Sequence, residues 1–152
     1  MRSRSHSGWR AVAEGSRPVA ARKENLDSLE RAPFSALLGL RIESRSNGTA
    51  VVRMPFAPTL INDGGPQAPI HGGAIASLAD VAACAAVWSI DATTRSATIS
   101  MTVNYTGMAS QSALVARATV RRHGKRLASV NVEIRDEADA LIADALVTYK
   151  IA

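Results

Sequence analysis

"IHGGAIASLADVAACAAV", residues Ile70 to Val87, decides the fold. Nearly every residue in it is apolar or small, yet His71 stands near one end and Asp80 in the middle. The run is long enough to suggest a membrane span. Its scarcity of Leu and Ile counts against one, as does a central charge, which costs roughly 2.5–3.5 kcal/mol on insertion scales. A helix starting near Gly72 and buried inside a sheet fits better, because Ala and Gly let strands approach the helix axis where Leu or Phe would hold them off.

After Asp91 the period changes from helical to two. Four runs alternate, "SATISMTVNY", "SALVARATVRR", "RLASVNVEIRD" and "ALIADALVTYK", joined by "TGMASQ", "HGK" and "EAD". These read as antiparallel strands with hairpin-length connections, too short for parallel crossovers. Alternation assigns Ile99, Met101, Val103 and Tyr105 to one face, with Ala128, Val130, Val132 and Ile134, and Thr98, Ser100, Thr102 and Asn104 to the other. Before the helix, "RIESRSNGTAVVRMPF" reads as a hairpin turning at Asn47-Gly48. "ENLDSLERAPFSALLGL" reads as a short helix or two half-turns broken at Pro33, and "APTLINDGGPQAP" as an irregular loop delivering the chain to His71. A sheet with one apolar face needs a cover. The expected fold is therefore α+β, an antiparallel sheet of five to six strands wrapped around one long helix.

Composition agrees with a single domain. The chain has 152 residues, 47% hydrophobic and 20% charged, enough to bury a core without staples. The single cysteine, Cys84, excludes an intramolecular disulfide and fits a cytoplasmic protein. The net charge of +5 favours anionic partners. Residues 1–24 carry Arg2, Arg4, Arg10, Arg17, Arg22 and Lys23 against Glu14 and Glu24, with scattered Ser, Gly and Pro. They read as a disordered basic arm ahead of a domain over 25–152, without the apolar core of a secretory signal.

A carboxylate on a buried helix demands a reason, because burying it unpaired costs several kcal/mol or drives up its pKa. Asp80 can accept structural hydrogen bonds, pair with an arginine such as Arg95, or do chemistry in a cleft. Nine residues separate it from His71, about 13 Å along the axis and roughly half a turn around it. If both serve one site, that site must combine two chains, which predicts an obligate dimer with two equivalent sites. The glycines Gly72 and Gly73 leave first-turn N–H groups unobstructed at the positive end of the helix dipole, which suits an oxyanion hole. They equally suit a tight turn into the helix.

"IHGGAIASLADVAACAAV" followed by "TISMTVNYTGMAS" resembles the hotdog-fold acyl-CoA thioesterases of the phenylacetate-degradation type, relatives of the 4-hydroxybenzoyl-CoA thioesterases. The match runs from about Phe34 to the C-terminus. The resemblance implies that Asp80 is the general base or nucleophile, that the Gly72 N–H polarises the thioester carbonyl, and that His71 shapes the loop. It places the family's loop Asn at Gly65, so Asn62 and Gln67 are the nearest amides, and it gives Thr98 the hydroxyl that partners the aspartate. Coenzyme A would supply the expected anion, with Gly73 at the substrate and Arg121, Arg122, Lys125 and Arg126, beside Arg117, as a phosphate platform. The implied chemistry calls for no cofactor, coenzyme A being part of the substrate, and for no metal: His6, His71, His123 and Cys84 do not form a ligand-spaced cluster. It implies a homodimer or dimer of dimers, with no nucleic-acid or membrane partner. The rival readings are a non-catalytic acyl-CoA binding or sensing protein, and a hotdog dehydratase, which would pair a His with an acid in one site.

Overall fold

The computed structural model describes residues 28–62, 65, 67–91 and 96–151. The basic arm and Arg95 lie outside the described residues. A short helix α1 (Pro33–Leu37) leads into β1 (Arg41–Ser46) and β2 (Thr49–Met54). The long helix α2 (Gly72–Trp88) follows, then β3 (Ala97–Tyr105), β4 (Leu114–His123), β5 (Leu127–Asp136) and β6 (Leu141–Lys150). The strands form one antiparallel sheet in the order β1-β2-β4-β5-β6-β3. This is the hotdog arrangement expected from the sequence.

The β1–β2 hairpin turns at Asn47 and Gly48, both with positive φ (45° and 82°), as the right-handed strand twist requires of a two-residue turn. The Gly48 N–H donates to Ser89 Oγ at 2.7 Å, tying the hairpin to the C-terminal end of α2.

From Ala82 to Val87 every helix residue is buried, and four of the six are alanine. Against them stand Val52 and Met54 of β2, Ala116 and Ala118 of β4, Val130 and Val132 of β5, and Ala145 and Val147 of β6. A helix buried on all sides needs small residues where strands cross it. The N-terminal half is different. Gly73 is exposed and Ala76, Ser77, Asp80 and Val81 are half-buried, a face at helical spacing that this chain's own sheet covers only in part.

Two expectations need correction. The "TGMASQ" connection is not a hairpin, because β3 pairs with β6 rather than β4. After β3 the chain crosses the end of β6, where Thr106 and Gly107 N–H groups both donate to Ile142 O at 3.0 Å. A side chain at Gly107 would stand 2.5 Å from Leu141 O, so this close crossing requires glycine. The second correction concerns faces. The β3–β6 register slips between Thr98 and Ser100, a bulge that leaves Ile99 unpaired and 56% exposed. Thr98 thereby moves onto the helix-facing side with Met101 and Val103, opposite the buried Tyr149. Alternation cannot reveal such a bulge, since every residue before it changes face.

Candidate active site

Loop and helix meet at His71, which caps α2 in an extended conformation (φ −63°, ψ 134°). Its Nδ1 accepts the Gly73 N–H at 2.8 Å, while its carbonyl accepts Ala74 N at 3.0 Å and Ile75 N at 3.3 Å. Imidazole thus takes the place of the usual Ser or Asp cap. The Gly72 N–H has no hydrogen-bond partner among the described residues. It is the open donor of this turn, at the end of the helix where partial positive charge collects.

Two turns further on, Asp80 is half-buried, and its Oδ1 accepts the Thr98 hydroxyl at 2.5 Å. Thr98 reaches it because of the bulge. Asp80 borders a groove of about 320 Å³, walled by Phe34, Ala76, Ser77, Val81, Thr98 and Met101. Of the three explanations for this carboxylate, the first is met in part: one oxygen is held by a hydroxyl, and the group faces a cleft.

His71 and Gly73 border a neighbouring groove of about 430 Å³, which shares Phe34 and Ser77 with the first. The helical-wheel expectation of opposite faces is thus corrected. His71 is a cap residue outside the helical φ/ψ region, so its ring folds back over Gly73 instead of following the wheel. The two grooves are adjacent, with Phe34 and Ser77 between them. Phe34 is 57% exposed on α1, and nothing in the helical motif signals it.

Asn62 and Gln67 are exposed and line neither groove. The Asn62 N–H donates to Pro69 O at 2.9 Å, which closes the loop. Arg122, Lys125 and Arg126 border a third groove of about 580 Å³ with Leu127, Ser129 and Thr148; Arg121 is exposed but does not line it. Ser129 and Thr148 pair on the outer face of the sheet, one residue from the inward Ala128 and Tyr149. The basic groove therefore lies behind the sheet from Asp80, at the same end of the strands.

Cys84, one turn beyond Asp80, accepts a hydrogen bond from Tyr149 Oη at 3.0 Å. Burial pushes its thiol up to about 11, and also raises the Tyr149 phenol. A buried, protonated thiol is not a nucleophile. Among the described residues no group of three or more His, Cys, Asp or Glu is placed to hold a metal ion, and no helix is long and apolar enough to cross a membrane.

The thioesterase superfamily model matches residues 69–143, from the loop before His71 into β6. A putative esterase of Halobacterium salinarum is 31% identical over 112 residues, which is 72% of this chain and 74% of that protein. The medium/long-chain acyl-CoA thioesterase YigI of Salmonella typhimurium is 28% identical over 133 residues, 78% of this chain and 85% of its own. The solved structure of the PaaI protein from the Escherichia coli phenylacetic acid degradation operon is similar with a TM-score of 0.77 and 25% identity, over 88% of this chain and 95% of that one. With the six-stranded sheet, the central helix and these relatives in agreement, the chain belongs to the thioesterase superfamily and is a hotdog-fold enzyme of that family.

Proposed function

We propose that the protein hydrolyses acyl-CoA thioesters to the free acid and coenzyme A, with Asp80 of one chain and the Gly72 N–H of another completing each site. The observation that carries this reading is the pair of groups on α2: a groove-facing carboxylate held by Thr98 and an open main-chain donor at the helix start. Thioester cleavage asks for little else, because a thiolate leaves without strong acid assistance.

In this reading Asp80 takes a proton from water as the water oxygen adds to the thioester carbon; if Asp80 adds to that carbon itself, loss of the thiolate leaves a mixed anhydride on Asp80, which water then hydrolyses to the free acid and the regenerated carboxylate. The Gly72 N–H hydrogen-bonds the oxyanion that forms, the C–S bond then breaks, and the thiolate of coenzyme A departs. Within one chain the two groups lie eight residues apart, about 12 Å along the axis, and Asp80 does not line the groove that His71 and Gly73 border. The partly open face of α2 through Ser77 and Asp80 supports a second copy packing there, as a homodimer or a dimer of such dimers. Arg122, Lys125 and Arg126, with Arg121 beside them, form the anionic subsite for the nucleotide phosphates. Because the sheet separates them from Asp80, they serve a thioester that reaches round the sheet edge or belongs to a neighbouring protomer's site. His71 fixes the turn, and Asn62 or Gln67 would contact substrate only from the rim. A cytoplasmic setting, where acyl-CoA is made, fits this role.

The test is release of free thiol from a panel of acyl-CoAs, from acetyl through octanoyl and palmitoyl to phenylacetyl, by the protein and by Asp80→Asn. Hydrolysis abolished by the substitution supports the reading. Binding of the same esters without hydrolysis by the wild type contradicts it.

A further inference from the structure

We infer that Tyr105 is a positioning residue for the oxyanion donor, holding from outside the helix the peptide that follows it. Resting on the catalytic reading above, the inference assigns a role to a residue outside the helical motif.

The first two peptide groups of α2 are pinned at nearly every edge. In the peptide joining Gly72 to Gly73, the N–H donates to His71 Nδ1 at 2.8 Å and the carbonyl accepts the Tyr105 hydroxyl at 3.0 Å. In the peptide joining His71 to Gly72, the carbonyl is taken by Ala74 and Ile75 N–H groups. The remaining edge is the Gly72 N–H. Glycine's torsions are the softest in the chain, so an open N–H on a glycine would sweep a wide cone unless both flanking peptides were held. Tyr105 supplies one of those holds from outside the helix.

Its ring also lies close against position 72. A Cβ there would stand 3.3 Å from Tyr105 Cζ and 3.4 Å from Cε1. Tyr105 is 54% exposed, so burial alone does not account for its position against the helix start. The same strand carries Thr98 at its other end, so β3 holds both the acid and the turn that bears the donor. Fixed donors stabilise a developing oxyanion more than mobile ones, because no reorganisation is needed as charge forms.

The experiment compares wild type with Tyr105→Phe, which keeps the ring and removes the donor. We expect kcat to fall about five- to tenfold with KM within about twofold, the scale of one hydrogen bond, and amide hydrogen exchange at Gly73 to speed by a similar factor while Leu78 is unchanged. In a Gly72→Pro background, which lacks the N–H, Tyr105→Phe should cost kcat almost nothing further. Unchanged kcat and exchange overturn the inference, as does a loss confined to KM or an additive loss in the double variant. If wild type cleaves no acyl-CoA, the catalytic reading fails, and the Gly73 exchange rate alone decides whether Tyr105 holds the turn.

Discussion

The first turn of α2 and the turn carrying Asp80 are held by the same strand but prepared for opposite tasks. At the start, side chains from His71 and Tyr105 immobilise the backbone and leave one N–H open. At Asp80, a single hydroxyl holds one oxygen of a side chain that remains half-exposed in a groove. One turn presents a fixed dipole without any side chain of its own; the other presents a carboxylate that borders an open groove. The open donor and the carboxylate therefore stand apart on one helix, the separation that the proposed two-chain site would bridge.

Breaking the acid half should have the largest effect. Asp80→Asn keeps an acceptor for Thr98 but removes the base, and turnover should fall by about 10³ or more, measured as thiol release at saturating acyl-CoA. A stable variant retaining more than a tenth of the activity would end its catalytic role. The donor half has an equally specific probe in Gly72→Pro. Position 72 opens the helix, where proline is well tolerated, the half-exposed Tyr105 ring that its Cβ would approach at 3.3 Å has room to give, and His71 already has the extended backbone that proline demands before it. The N–H disappears while the helix stays, and kcat should drop about 10²–10³. A smaller step tests the tether: Thr98→Val removes the hydroxyl from Asp80 and should lower kcat about tenfold, the scale of a hydrogen bond to a charged group.

Much of this was legible in the sequence. The Ala-rich run located the helix, its two ionisable residues marked the two turns proposed for the chemistry, and the Asn47-Gly48 turn fixed the first hairpin. The placement of Tyr105 and Phe34 beside these turns was not legible, because it depends on a strand and a short helix brought to α2 from elsewhere in the chain. The Thr98 face was misread because a bulge at Ile99 interrupts the alternation. Strand order escaped too, since a connection of hairpin length can cross the end of another strand when a glycine such as Gly107 permits the close approach.

The smallest effect on activity is expected one turn past Asp80. Cys84→Ser preserves the Tyr149 contact and should leave turnover within about twofold, while changing alkaline stability. In the unfolded chain the thiol ionises from about pH 9; in the fold it keeps its proton until about 11. Its raised value contributes stability that is present below pH 9 and lost as pH rises toward 11, on the order of 2–3 kcal/mol. Urea titrations across that window should show a shallower decline for the serine variant. An identical decline would place the ionising group elsewhere, with Tyr149 next to examine.

Mixing two inactive proteins tests the central claim most directly. Asp80→Asn and Gly72→Pro are combined, dissociated and allowed to reassociate, and thiol release is followed. With sites shared across a two-fold interface, half of the dimers formed at random are mixed and each carries one intact site, so activity should recover to about one quarter of wild type. If the mixture stays as inactive as its parents although mixed dimers have formed, Asp80 and Gly72 serve the same chain's site and the two-chain account is wrong.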